Sequence, residues 1–163
     1  MRRNFVHMAN LLNTPVDFKI TPTGFGTWKR YLYQSGMVYQ EFTSHRHVGT
    51  WPLVQFKSGR NPETGTVGTA RGIIAVGRRA VGFVAIGQLA VGFLAFGQAS
   101  FGVFALGQLG VGLLAGIGQA AVGVVAIGQL AAGVFCVGQL ALGGWILAQF
   151  GVGQDLLNLL RRE

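Results

Sequence analysis

The chain has 163 residues and a net charge of +8, with 50% hydrophobic residues and only 11% charged ones. This composition excludes intrinsic disorder, because disordered chains are polar and poor in aliphatic residues. The 27 glycines follow no Gly-X-Y period, which excludes collagen, and the single cysteine excludes a disulfide framework or a cysteine-built zinc site.

The charge is confined to the two ends of the chain. Residues 1–79 contain 11 Lys and Arg against 3 Asp and Glu, whereas residues 80–154 contain none of these four residue types. A basic segment beside a long uncharged apolar segment favours an anionic membrane surface as partner, since each Lys or Arg near such a surface gains about 1 kcal/mol. Nucleic acid is not predicted as a partner, because no recognised nucleic-acid-binding motif accompanies the charge.

The first residues lack the features of a secretory signal peptide. Arg2 and Arg3 give a basic start, but His7 and Asn10 interrupt the apolar stretch, and no small-residue cleavage site follows. We therefore expect a membrane-associated protein on the cytoplasmic side.

Residues 1–70 are predicted to form a small β cap that is basic and rich in aromatic residues. Residues 16–60 hold all three Tyr and two of the three Trp, and strand-forming runs alternate there with Gly-containing turns. The predicted strands are residues 16–20, 28–33, 37–42 and 53–56. Such a cap would cover the first edge of a repeat region. Alternatively, the aromatic residues form a belt at the membrane interface, where Trp and Tyr are enriched.

Two motifs in this half carry weak chemical signals. His45 and His47 share one face of a predicted strand, but no third metal ligand is apparent nearby, so we interpret them as surface residues. Residues 61–65 (Asn-Pro-Glu-Thr-Gly) resemble a sortase sorting signal. The apolar tract behind them is far too long for such a signal, and a turn is the preferred interpretation.

Basic residues mark the border between the charged and uncharged regions. Gly72 and Gly77 have the spacing of a phosphate-binding loop, but Arg78 and Arg79 replace the Lys and hydroxyl that such a loop needs. We instead expect Arg71, Arg78 and Arg79 to lie at the membrane surface, with their side chains extended towards lipid headgroups. No catalytic, cofactor-binding or metal-ligating set is found, so the protein is predicted not to be an enzyme.

From residue 72 to residue 153, glycine recurs every five residues. One extra residue, assigned to Gly116, shifts the series, and Ala148 replaces one glycine. The residue three positions after each glycine is nearly always small, and Cys136 takes this slot once as a predicted packing residue. A second period of ten is superimposed, because the residue after glycine is alternately polar, mostly Gln, and apolar. The alternation survives the extra residue, so each pentad is a structural unit.

The five-residue period favours strands over helices. Five residues turn an α-helix about 140° beyond a full turn, which would spiral the glycines around it, and each interior glycine costs about 1 kcal/mol. We predict that residues 71–153 form a β-solenoid, with each pentad as one side of a square coil and twenty residues per turn. A multi-pass helical membrane protein with Gly-mediated packing is the alternative.

The Gly-Gln-Leu-Ala-Val sequence at residues 87–91 resembles the unit of pentapeptide-repeat proteins, and the resemblance covers about residues 72–153. It implies a right-handed square β-helix with a small inward slot at glycines such as Gly87, Gly92 and Gly97. It also implies a large inward slot, filled here by Leu89, Leu94, Phe104, Leu109, Leu114, Leu130, Phe135 and Leu140. The mostly apolar outward residues depart from that family. Residues 41–153 also resemble uncharacterised bacterial proteins with G-x-x-A-[IV] repeats, often predicted to be membrane proteins, which imply no activity.

Twenty residues per turn predict two glutamine ladders on opposite faces. One ladder contains Gln88, Gln108, Gln129 and Gln149, and the other contains Gln98, Gln119 and Gln139. The remaining two faces carry the predicted interaction residues, which are Phe83, Val103 and Val124 on one and Phe93, Leu113 and Val134 on the other. Apolar faces of this size must contact lipid, another subunit or a partner. Four coils would be about 20 Å high, short of the roughly 30 Å hydrocarbon core, so partial insertion or packing against a larger membrane complex is expected.

Residues 154–163 are predicted to form a short amphipathic helix that caps the last coil. Asp155 suits the start of this helix, and four leucines between residues 156 and 160 form its apolar side.

The predicted function is that of a membrane-associated structural or accessory subunit without a cofactor. Its apolar faces would contact membrane lipid or a larger membrane protein complex. The alternative is a self-assembling scaffold, a homo-oligomer that forms filaments or sheets through its apolar and glutamine faces.

Overall fold

A computed structural model describes residues 16–152, and within this range the chain is all-β, with eight strands and no helix. The all-β prediction is therefore confirmed. The predicted C-terminal helix at residues 154–163 lies outside the described residues. The strands are β1 (Lys19–Pro22), β2 (Gly26–Leu32), β3 (Val38–Ser44), β4 (His47–Val48), β5 (Trp51–Pro52), β6 (Val54–Ser58), β7 (Thr69–Gly77) and β8 (Arg79–Val152).

Six of the strands form one sheet in the order β1-β2-β3-β6-β7-β8. The pairs from β1 to β6 are antiparallel, whereas β6 pairs with β7 in parallel. The four predicted N-terminal strands are all present, with ends shifted by a few residues. Strands β4 and β5 form a separate hairpin that was not predicted, because two residues are too short to show a period.

The N-terminal strands pack through aromatic side chains. The ring of Trp28 lies 5.0 Å from that of Phe42 and 6.0 Å from that of Phe56, measured between centroids. On the opposite face of β3, Tyr39 is the largest fully buried side chain of the described residues. Its hydroxyl donates a 2.6 Å hydrogen bond to Glu41, whose carboxylate also lies 3.0 Å from the Lys57 ammonium. Burial first, and this hydrogen bond second, raise the pKa of Tyr39.

Strand β8 is an uninterrupted extended segment of 74 residues, and its register has a period of ten. Strand β7 pairs with it in parallel at an offset of ten residues, as in Ala70 with Ala80 and Ala75 with Ala85. The offset continues along β8, because a side chain added at Gly97 would meet the carbonyl oxygen of Gly87. We call each ten-residue step a circuit. The predicted twenty-residue spacing is therefore wrong.

One circuit is longer than the others. Gly118 lies over Gly107 and Gly123 over Gly112, an offset of eleven residues, and the offset then returns to ten between Gly128 and Gly118. The extra residue seen in the sequence is thus absorbed within a single circuit. The buried slot falls on Gly116 itself, while Ala115, placed in the small slot by the sequence, is only partly buried.

The interior of the repeat region is built almost entirely from alanine. About one residue in every five is buried, and two clusters of these residues lie before and after the eleven-residue circuit. Ser100 replaces alanine once, and its hydroxyl donates a 3.2 Å hydrogen bond to the carbonyl oxygen of Leu109. Cys136 replaces it once more and is 2% exposed, which confirms its predicted packing role.

The predicted inward slots are therefore wrong for this chain. The slot three residues after glycine is the buried one, and the glycines themselves mostly lie half-buried at backbone contacts. The predicted large inward residues point outwards, with exposed fractions such as 40% for Leu89 and 53% for Leu130. Alanine fills most of the buried slots, Ser100, Cys136 and Ile146 fill one each, and none of the predicted inward Leu and Phe residues is fully buried.

Candidate interaction surfaces of the repeat region

The repeat region presents two kinds of outer surface. Because the register has a period of ten, pentads that begin Gly-Gln stack on one another, and so do pentads that begin with Gly and an apolar residue. We call the outward residues of the first kind the glutamine face and those of the second kind the aromatic face. Each face is continuous along β8, and the two differ sharply in chemistry.

The glutamine face carries a single row of amide side chains, which we call the glutamine row. Its members are Gln88, Gln98, Gln108, Gln119, Gln129, Gln139 and Gln149, and all seven are exposed. Five of them line one groove together with alternating Ala and Leu residues of the neighbouring column. The predicted arrangement of two ladders on opposite faces is therefore wrong, because a ten-residue circuit brings every glutamine to the same side.

The glutamine face also has an open hollow with a volume of about 370 Å³. It spans three successive circuits, where alanines such as Ala120 and Ala132 stand in outward slots that hold Leu or Val elsewhere. Its lining is alkyl throughout, so it offers shape and apolar contact but no hydrogen-bonding group.

The aromatic face contains all six predicted interaction residues, which the sequence had divided between two faces. The rings of Phe83 and Phe93 stack in parallel with centroids 4.8 Å apart, and the ring of Phe104 lies 5.7 Å from that of Phe93. Val103 is partly buried, and the other five are exposed, up to 71% for Leu113. The period-ten stacking explains why they share one side. That these residues contact lipid or a partner stays a prediction.

The basic residues lie at the first circuits of the repeat region. Arg71 and Arg78 belong to the circuit that includes β7, Arg79 begins β8, and all three side chains are exposed. The guanidinium Nε of Arg78 donates a 3.2 Å hydrogen bond to the amide oxygen of Gln88, so Arg78 begins the glutamine row. We call these three arginines the arginine collar. Beyond it, the described part of β8 carries no charged residue.

The N-terminal strands hold most of the remaining charge. Among residues 16–152, ion pairs join Lys57 to Glu41 at 3.0 Å and Lys29 to Glu63 at 3.8 Å. The other described Lys and Arg residues have no such pair with an acidic side chain within this range. The N-terminal region therefore keeps a positive surface next to the uncharged repeat region.

The weaker motifs take structural positions. His45 Nε2 lies 2.9 Å from the Thr27 hydroxyl, and His47 Nδ1 lies 3.0 Å from the backbone oxygen of His45. The predicted turn at residues 61–65 is confirmed, since the Gly65 amide donates a 2.7 Å hydrogen bond to the Asn61 carbonyl. Over residues 16–152, no group of three or more His, Cys, Asp and Glu side chains is placed to hold a metal ion.

Comparisons with protein families, with curated proteins and with solved structures find no match to this chain. The resemblance to pentapeptide-repeat proteins therefore stays a prediction. In the part of the chain that the structure describes, no helix is long and apolar enough to cross a membrane. Residues 79–152 are extended instead, so the helical spans considered as an alternative are not the conformation found here.

Proposed function

We propose that the protein is a membrane-associated, non-enzymatic structural or accessory subunit whose repeat region is embedded in lipid. The proposal rests on the distribution of side chains in the repeat region, which is the reverse of that in a water-soluble protein. In β8 the interior is mostly Ala, whereas most of the Phe, Leu, Ile and Val residues are exposed along the uncharged length. A monomer in water rarely exposes apolar patches of more than a few hundred Å², so these faces need an apolar environment.

We further propose that the repeat region is a flattened β-solenoid with two pentads per circuit. A straight strand turns alternate residues to opposite sides, so a buried residue every five positions requires a change of direction once per pentad. Two such changes return the chain to its starting register after ten residues, as the pairing of β7 with β8 supports. Its handedness stays a prediction. A closed circuit bonds its backbone to the circuits before and after it, which is what lipid requires.

The height of this stack supports deeper insertion than the sequence suggested. Seven circuit steps separate Arg78 from Gln149, which gives about 34 Å at about 4.8 Å per step. The hydrocarbon core of a bilayer is about 30 Å thick. The expectation of partial insertion rested on coils of twenty residues and about 20 Å in height, and the ten-residue register removes that restriction.

The arginine collar defines the proposed orientation. Its three guanidinium groups lie at the end of the stack that joins the basic N-terminal strands, where they would meet anionic headgroups on the cytoplasmic side. Strand β6 pairs with β7 and covers that end of the stack, which supports the cap role of the N-terminal region. The uncharged circuits would then extend from the collar into the hydrocarbon.

Fractionation of native cells tests the proposal. We expect the full-length protein in the membrane pellet, resistant to alkaline carbonate and released by mild detergent. A protein that stays in the cytosolic supernatant would show that the proposal is wrong and that a soluble partner covers the apolar faces. Companions that co-purify in detergent would identify an accessory subunit of a larger complex.

A self-assembling scaffold is the second candidate, because the aromatic face could pair with the same face of another chain. This alternative predicts that the membrane pellet resists mild detergent and contains filaments or sheets visible by electron microscopy. Release as small particles by detergent would argue against it.

A further inference from the structure

We propose that two copies of this chain associate side by side in the membrane through their glutamine faces, so that the two glutamine rows pair in register. The inference rests on the proposed membrane function and names the partner of one of its faces as a second copy of the same chain. The aromatic face is then left to lipid.

The first argument is the confinement of polar groups to one face. The outward residues of the aromatic face are apolar throughout β8 apart from the indole of Trp145, whereas the glutamine face carries seven amides. Only Gln88 has a side-chain partner among residues 16–152, and no amide of the row bonds to the next one. Amides left against hydrocarbon are costly, and membrane proteins direct such groups towards other protein surfaces.

The second argument is that the row is complementary to itself. Each glutamine amide offers two donors and an acceptor, so glutamine can pair with glutamine without any other residue type. Two copies have the same spacing between circuits. Once one glutamine of each row is aligned with its counterpart, all the others are aligned as well. A partner with any other repeat would lose register within a few circuits.

The third argument concerns orientation. The arginine collar lies at one end of the stack, so both copies would enter a membrane with that end at the same headgroup layer. Their glutamine rows then lie at equal heights, and a two-fold axis along the membrane normal brings Gln108 of one copy opposite Gln108 of the other. This is the symmetry that most homodimers use.

The fourth argument is the shape and area of the face. Small outward residues such as Ala99, Ala120 and Ala132 create room for close approach, which is how protein surfaces associate inside membranes. The face is about 34 Å high and one pentad, about 16 Å, wide, so pairing would bury about 1,100 Å² in total. That area exceeds the roughly 1,000 Å² expected of a specific interface.

Disulfide crosslinking in vesicles tests the proposal on the full-length chain. In a Cys136→Ala background, Gln108→Cys is compared with Leu113→Cys, which places the thiol in the neighbouring pentad but on the aromatic face. Both variants are reconstituted at high lipid excess, floated on a density gradient and oxidised with copper phenanthroline. We expect a disulfide dimer from Gln108→Cys and only the random-collision background from Leu113→Cys.

The flotation step separates the two proposals. If the protein does not float with the vesicles, the membrane function and the pairing both fail. If it floats but Gln108→Cys gives no dimer above background, only the pairing fails. Equal crosslinking of both variants would indicate crowding and would also overturn the pairing.

Energy transfer between labelled copies supplies a second measurement. We expect the triple variant Gln108→Leu, Gln119→Leu, Gln129→Leu to float as well as the wild type but to self-associate roughly twentyfold more weakly, from the strength measured for amide contacts between membrane-embedded side chains. A matched variant, Val103→Leu, Val124→Leu, Val134→Leu, changes the aromatic face and should leave self-association unchanged. Wild-type association in the glutamine variant would overturn the proposal.

Discussion

The N-terminal strands and the repeat region place their side chains according to opposite rules. In the N-terminal strands, Tyr39 is buried, aromatic rings pack against one another, and the ion pair between Lys57 and Glu41 is partly buried. In the repeat region most buried residues are alanines, and nearly all of the large apolar residues are outside. Two directly connected parts of one sheet therefore differ in which side chains they bury.

The glycines of the two regions differ in the same way. All four glycines with positive φ, namely Gly36, Gly49, Gly59 and Gly65, precede the repeat region and serve turns that other residues adopt with strain. The repeat glycines described here have no positive φ and are needed because backbone from the preceding circuit lies too close for a side chain. Glycine provides flexibility in the first region and close approach in the second.

The largest expected effect is that of a single methyl group at a stacked glycine. Gly107→Ala would drive a Cβ into the carbonyl oxygen of Gly97, and we expect a loss of about 3 kcal/mol in the free energy of unfolding. Gly24→Ala is the control, because no atom lies within 4 Å of the added Cβ there. Denaturant unfolding in detergent, followed by circular dichroism, measures both. Equal stability of the two variants would contradict the close stacking of circuits.

Substituting lysine for one exposed leucine in each region tests the surroundings of the two regions directly. Leu113 and Leu32 are 71% and 69% exposed, so in water Lys at either site should change stability little. If the repeat region lies in lipid, Leu113→Lys should cost about 2–4 kcal/mol near the bilayer centre, and Leu32→Lys should remain neutral. Flotation yield and unfolding in vesicles report the difference. If neither variant changed the flotation yield or the unfolding free energy, the proposed difference in surroundings between the two regions would be wrong.

Removing charge at the boundary between the regions should weaken membrane binding. The double variant Arg78→Gln, Arg79→Gln loses two cations of the arginine collar, and we expect about thirtyfold weaker binding to anionic vesicles at low salt. Binding to zwitterionic vesicles should change far less. The same loss on both vesicle types would mean that the arginines act through the fold rather than through lipid charge.

The smallest expected effect concerns the buried hydroxyl of the N-terminal strands. Because the folded chain holds the pKa of Tyr39 above its unfolded value of about 10, the hydroxyl stays protonated when the unfolded chain ionises. The contribution of this hydroxyl to the free energy of unfolding is therefore complete below pH 10 and is lost as the pH rises further. Tyr39→Phe should flatten the decline in unfolding free energy above pH 10, and Tyr31→Phe is the control. An unchanged slope in Tyr39→Phe would show that another group titrates.

The sequence was sufficient to locate the strands, the five-residue period and the alternation of glutamine with apolar residues. It left the circuit length open, because ten and twenty residues are both multiples of five and both keep glutamine above glutamine. The deciding signal was the repetition of a small residue three positions after nearly every glycine. An interior lined almost entirely by such small residues favours the ten-residue spacing over the twenty-residue one.

The wrong prediction that large Leu and Phe residues point inwards also concerns the size of the residues that the interior accepts. Positions 89, 99, 109, 120 and 130 alternate between Leu and Ala. A packed interior tolerates such changes in volume poorly, whereas an outer surface tolerates them well. The variation in size along that column therefore indicated an outward position, and the constancy of the alanine rows indicated the inward one.

The eleven-residue circuit has a consequence for how this chain can change in length. Inserting one residue into an ordinary strand reverses the side on which every later residue lies. Here Gln119 follows Gln108 in the glutamine row, although eleven residues separate them, because the segment between Gly112 and Gly116 takes up the extra residue. Such a segment takes up an extra residue locally. Mutation can therefore lengthen single circuits, or add and delete whole ones, while both outer surfaces keep their pattern.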